Sequence, residues 1–118
     1  MLSVGSGRTV YLCCGSTDMR KSINGLAALV GYAFDLDVFS RSLFVFCNKE
    51  RNKLKILFWE HNGFWLYYRR LERGRFRWPE GKEAEAYPIA ERELGWLLDG
   101  LALTQRQAHK AVNSTIAA

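Results

Sequence analysis

The side chains that could break a bond or hold a metal are scattered along this chain. Nuclease chemistry with two metal ions needs several carboxylates converging on one pocket. The strand-rich middle offers only Glu50, Glu60 and Glu72, all at or beside turns. Asp18 sits where a helix should start, and Glu80, Glu83 and Glu85 fall in a connector. The histidines, His61 and His109, lie far apart. The cysteines are the adjacent Cys13 and Cys14 plus Cys47, with no C-x-x-C spacing for zinc or a redox pair. Gly5-x-Gly7 precedes a strand and is too short for a phosphate-binding loop. The expectation is a non-catalytic protein with no cofactor and no metal.

Cations and aromatics are what remain. Between residues 41 and 78 there are ten Lys/Arg against three acids, a net of +7 in a chain whose total is +5. The first forty residues balance to zero and the last forty sum to −2. Such asymmetry points to an anionic partner. Phosphates would be met by Lys and Arg, and exposed bases by Trp and Tyr.

The elements that must position these groups follow from local patterns. Arg8 to Cys14 is rich in β-formers and reads as a first strand. A helix is expected from Asp18, capped by Ser16 or Thr17, because Met19, Ile23, Leu26, Val30 and Phe34 repeat at helical spacing. Arg20 and Lys21 then form a candidate phosphate-facing pair at its start. Further strands are expected at Leu43–Asn48, Lys53–Glu60, Phe64–Leu71 and Arg75–Trp78, stopped by Pro79. Pro88 suits the first turn of a second helix ending at Gly100, and Thr104–Gln107 opens a last short helix to about Val112.

Register decides which side chains share a face. Three-residue loops at His61-Asn62-Gly63 and Glu72-Arg73-Gly74 put Leu54, Ile56 and Phe58 with Phe64, Leu66, Tyr68, Phe76 and Trp78 on one apolar face. The other face then carries Lys53, Lys55, Arg69, Arg75 and Arg77, with Trp59, Trp65 and Tyr67 among them. Like charges opposite one another destabilise a sheet unless something negative neutralises them. The plainer alternative is that the aromatics pack under the C-terminal helix and the arginines ring the sheet edge.

The expected fold class is α+β: an antiparallel meander of four to five strands with one N-terminal helix and one or two C-terminal helices packed on it. At 118 residues, 48% of them hydrophobic, the chain is expected to be a single domain, 1–118, with an ordered core at about 8–112. No apolar run of transmembrane length and no signal-peptide stretch is evident, so a cytoplasmic protein without membrane contact is expected.

Several strings carry a resemblance. VYLCCGSTDMRKSINGLAALV, LFVFCN, LKILFWEHNGFWLYYRRLERGRFRWP and LGWLLDGL resemble the TnpB-type (second reading frame) accessory protein of the insertion sequence 66 family of bacterial transposons. The resemblance spans roughly residues 9 to 101. It is most specific at Thr17-Asp18-Met19-Arg20-Lys21, from Lys55 to Trp65, and from Arg69-Arg70-Leu71 to Trp78-Pro79. Val38 and Arg41 stand where the family has proline and glycine, Cys47 where it has arginine, and Arg69-Arg70 where it has a lysine-arginine pair. The resemblance implies an accessory role in transposition beside a separate transposase. It transfers no catalytic residue, and it is unrelated to the larger RNA-guided nucleases of the same name.

The expected function is nucleic-acid binding through the basic, aromatic face of the sheet: Lys53, Lys55, Trp65, Tyr67, Arg69, Arg75 and Arg77, with Arg20 and Lys21. The expected partners are DNA at transposon ends, double or single stranded, and the transposase with the other element-encoded proteins. The alternative is a protein-interaction subunit that docks the transposase without touching DNA.

Overall fold

A computed structural model describes residues 7–100. Five strands form one sheet in the order β4-β3-β2-β1-β5. They are β1 Val10–Cys13, β2 Leu43–Cys47, β3 Lys53–Glu60, β4 Gly63–Arg70 and β5 Ala86–Ile89. β1 and β2 run parallel, and the other pairings are antiparallel. A parallel pair needs a crossover, and helix α1, Ile23–Ala28, lies in it. α2, Glu91–Leu98, follows β5. The α+β class holds, with β2, β3 and β4 as the expected meander. The expected helix over residues 104–112 lies outside the described residues.

Both faces of the sheet are covered. On one, Val10, Leu12, Leu43, Val45, Leu54, Ile56 and Phe58 pack with Ile89, Leu94 and Leu97 beside α2. On the other, Phe44, Phe46 and Leu57 pack against Leu26 and Val30 of the helical crossover. That explains β2, LFVFC, in which every residue is buried: a strand covered on both faces loses the alternation of a half-exposed one.

The helical stripe is real, but its start is not where the spacing puts it. Met19, Ile23, Leu26, Val30 and Phe34 all line the second core cluster, yet the N-cap is Ser22. Asp18 closes a turn instead: its carboxylate accepts the Arg20 N–H at 2.9 Å, and its carbonyl accepts the Lys21 N–H at 3.1 Å. An Asp that bonds its own backbone two residues on favours a turn over a cap. α1 then widens into a π-helical turn, Leu29–Ala33, in which the Phe34 N–H reaches Leu29 O at 3.1 Å.

The hairpin corrects the register. The β3–β4 turn holds two residues, His61 and Asn62, at φ 51° and 66°, and Gly63 pairs with Glu60 as the first residue of β4. Two left-handed residues are what a type I′ turn requires. The expected three-residue loop would have set Lys55 across from Arg69; Lys55 in fact faces Tyr68, and Arg69 faces Leu54. Every side chain of β4 is therefore on the opposite face from the one expected. Trp65, Tyr67 and Arg69 share the α2 side with Phe58, Ile56 and Leu54, while Lys53 and Lys55 lie on the α1 side with Tyr68 and Arg70.

The expected strand at Arg75–Trp78 does not form. Residues 71–78 make an irregular strap across the end of the sheet. The Leu71 N–H bonds Asn52 O at 2.8 Å and the Phe76 N–H bonds Arg51 O at 2.7 Å. The fifth strand is Ala86–Ile89 instead, antiparallel to β1. Pro88, expected in the first turn of a helix, pairs with Tyr11 in this edge strand, where a missing N–H does little harm. Gly100 does follow α2 at φ 83°, as a helix terminator should.

Candidate functional site

Since the sheet is covered on both sides, no single open face gathers the cations. They divide between two grooves at the end of the sheet where β3 begins and β4 finishes.

The first groove, about 530 Å³, is lined by Ser16, Thr17, Asp18, Met19, Arg20, Asn48, Lys49, Glu50 and Lys53. Its cations are opposed by acids. Arg20 binds Asp18 at 2.7 Å, and the bonding Arg20 side chain holds the Asp18 carboxyl down from its ordinary 3.8 to about 2. Lys21 is exposed nearby, at the turn before α1.

Lys55 does different work. Its Nζ donates to Met19 O and Lys21 O, each at 2.8 Å, and sits 5.8 Å from the Tyr68 ring centre. The ammonium thus pins the entry to α1 onto β3. Lys55→Met should cost about 1.5–3 kcal/mol, the value of hydrogen bonds to a charged group. Denaturant titration should show that loss, and nucleic-acid affinity should stay within about twofold because no free cation has gone.

The second groove, about 430 Å³, is lined by Arg69, Leu71, Arg73, Gly74, Arg75, Phe76, Leu98, Asp99 and Gly100. Arg69 Nη1 donates to Leu98 O at 3.0 Å, which places a cation at the C-terminus of α2, where the dipole favours it. Phe76 is only 3% exposed and plugs the α2-side core. Arg73, Arg75 and Arg77 are exposed, and alternate with inward Phe76 and half-buried Trp78. Among the described residues none of the three has a hydrogen-bond or ion-pair partner, whereas neighbouring Arg70 is paired to Glu72 at 2.8 Å.

Arg51 ties this strap to the sheet. Its Nη1 reaches Gly15 O at 2.9 Å and Asn48 O at 3.2 Å, its guanidinium lies 5.7 Å from the Trp78 ring centre, and its carbonyl holds Phe76. Arg51 itself sits at φ 61°. Neither Arg51 nor Arg73 is among the site residues expected from the sequence, in which Arg73 falls in a loop between two expected strands. The signal that finds it is the i, i+2 alternation of Arg73, Arg75 and Arg77 against Phe76 and Trp78.

The aromatic half of the expected site is elsewhere. Trp65 stacks with Phe58 and Tyr67, and its Nε1 donates to Glu60 at 3.2 Å. Arg8 pairs with the same Glu60 at 2.8 Å and lies 5.1 Å from the Phe58 ring centre. These aromatics sit among their own kind, apart from the strap arginines. Burial pushes the Cys13, Cys14 and Cys47 thiols up, away from the reactive thiolate. Among the described residues no three His, Cys, Asp or Glu side chains form a metal-binding group, and no helix is long and apolar enough to cross a membrane.

Comparison with known proteins adds a family. Residues 8–108 match the family model described as IS66 Orf2 like protein. The chain is similar to "Uncharacterized protein y4hO" of Sinorhizobium fredii (strain NBRC 101917 / NGR234), 36% identical over 101 residues that cover 86% of this chain and 87% of that one. It is also similar to "Uncharacterized protein y4jC" of the same organism, 31% identical over 105 residues and 89% of each chain. No solved structure matches it significantly.

Proposed function

This chain belongs to the IS66 Orf2-like family, whose setting is an accessory role in transposition, and we propose that it acts there as a non-catalytic subunit that grips the phosphate backbone of DNA at the transposon ends. The grip is the strap: Arg73, Arg75 and Arg77, with Arg69 at its base. Arg20, Lys21 and Lys53 are secondary contacts at the neighbouring groove. Lys55 and Tyr67 act within the fold, and exposed Trp65 stacks on Phe58 and Tyr67 away from the strap.

One observation carries the reading. Three exposed arginines alternate along a segment fixed by a buried phenylalanine and two backbone hydrogen bonds, and none is neutralised among the described residues. Side-by-side cations repel one another, and a row of phosphates removes that repulsion. Among the described residues the aromatics beside these arginines are buried Phe76 and half-buried Trp78, whose ring is already met by Arg51, so backbone contact is favoured over base stacking, and duplex over single strand.

The test is a titration of duplex DNA at several salt concentrations. Four neutralised phosphates give a log–log slope of roughly −3 to −4, with little dependence on sequence. A flat salt response would overturn the phosphate grip. A second reading rests on Tyr32, 92% exposed on the π-helical turn. A large exposed aromatic is a typical interface anchor, so the same protein would dock the transposase or another element-encoded protein through this side. DNA binding that appears only with such a partner present would favour it. The proposed setting is the cytoplasm, where the element's DNA lies.

A further inference from the structure

The two edges of the sheet are built differently. β5 is an edge of four residues interrupted by Pro88, the usual way of making an edge unattractive to another strand. β4 is an edge of eight residues, without proline, in unbroken register with β3. Among the described residues nothing pairs with its outer side. Trp65 and Tyr68, on opposite faces of β4, are 46% and 53% exposed. Apolar surface thus flanks this open edge both above and below.

We propose that β4 pairs with β4 of a second copy, antiparallel about a two-fold axis at Tyr67, to make one ten-stranded sheet. Hydrogen bonding narrows the choice. In a two-residue hairpin the closing pair, Glu60 and Gly63, exchanges both bonds, and at the far end the Leu71 N–H bonds Asn52 O. Odd-numbered residues of β4 therefore bond inward to β3. Phe64, Leu66, Tyr68 and Arg70 turn their N–H and C=O groups outward. A two-fold axis perpendicular to the sheet keeps each face continuous, so it must pass through a residue. Centred on Tyr67, it matches outward groups with outward groups: Phe64 with Arg70 and Leu66 with Tyr68, each pair occurring twice. Centred on Leu66, it sends Arg70 past the strand, opposite Asn62 of the turn, and loses one such pair.

Charge favours the same register. β4 is apolar from Phe64 to Tyr68 and cationic at Arg69 and Arg70. Side-by-side parallel pairing would bring the two arginine pairs together. The antiparallel register about Tyr67 instead sets Arg69 against Trp65 and Arg70 against Phe64, each a cation facing an aromatic ring. It also puts the two straps at opposite ends of the shared edge, eight residues or roughly 27 Å apart. On the strap reading given above, that span is of the order of one duplex turn, though the dimer itself does not depend on DNA.

The test uses the full chain without DNA. Sedimentation equilibrium should give twice the 13.6 kDa of one chain. Tyr67→Cys should cross-link under mild oxidation, because facing residues of a non-hydrogen-bonded pair have Cα atoms about 4.5 Å apart, within disulfide range. Trp65→Cys should not, since its two copies would lie about 14 Å apart. The native cysteines are all buried and are alkylated on denaturation before the gel is run. A monomer mass for the wild-type chain at high micromolar concentration overturns the proposal. Cross-linking of Trp65→Cys in place of Tyr67→Cys overturns the register.

Discussion

Arg73→Glu with Arg75→Glu and Arg77→Glu should weaken duplex binding by at least about 100-fold and leave the protein folded. Each substitution removes an attraction of about 1 kcal/mol at contact in water and replaces it with a repulsion. Three together exceed the roughly 2.7 kcal/mol that a 100-fold change represents. The salt slope should become shallower by roughly 3, the share of the three reversed arginines. Stability should change little, because the three side chains are exposed and have no partner among the described residues. Surface changes of this kind are usually within about 0.5 kcal/mol each. Reversal at Arg41, Lys82 and Arg92, which are exposed elsewhere, alters net charge equally and serves as the control. If that control is as damaging as the strap variant, bulk charge and not the strap attracts the DNA. A strap variant that binds normally would refute the proposed function outright.

How far the sequence could lead depends on which physical signal each element offers. β3 was legible to the residue, because Lys53–Glu60 is bounded by turn residues on both sides. The helical stripe was legible as well, since a packed face leaves a period. The register of β4 was not. Apolar parity selects a register only in a sheet with one wet face, where a single loop length collects the apolar residues on the other. β4 carries large apolar groups at both parities, Phe64, Leu66 and Tyr68 against Trp65 and Tyr67, because helices cover both sides of the sheet. Under that condition apolar segregation cannot choose the register. The turn chemistry chooses it, through His61 and Asn62 at positive φ. The cations therefore do not share one face of the sheet: Arg69 lies on the α2 side, Lys53 and Lys55 on the α1 side. Arg69, Arg75 and Arg77 stay in the candidate site. Lys55 leaves it, because two carbonyls 34 and 36 residues away in sequence claim its ammonium. Such a long-range contact leaves no local pattern. β5 was hidden for a similar reason: Ala86–Ile89 contains a proline, and only its place at the edge makes that tolerable.

Phe76→Ala should be the most destabilising single change in the strap, and it separates order from charge. Removing a buried phenylalanine typically costs 3–5 kcal/mol, partly from lost transfer energy and partly from the cavity left behind. Small domains have only about 5–15 kcal/mol in total. The melting temperature should therefore fall by on the order of 15–25 °C. Phe76 is 3% exposed and belongs to the same core cluster as Leu54, Leu94 and Leu97. Its N–H is also one of the two backbone bonds that hold the strap to the β2–β3 turn. Without the plug, Arg73, Arg75 and Arg77 keep their charge but lose their fixed spacing. Binding DNA would then have to order several residues, each costing about 1–2 kcal/mol of backbone entropy. Measured well below its melting temperature, the variant should lose affinity about 10-fold or more while keeping the wild-type salt slope, since the same phosphates are neutralised. Charge reversal lowers the slope; loss of the plug leaves it unchanged. Phe76→Leu, which refills most of the volume, should recover much of both stability and affinity. If Phe76→Ala melts early yet binds DNA as tightly as the parent chain, the strap needs no preset shape. Its arginines would then act only as a charged tether.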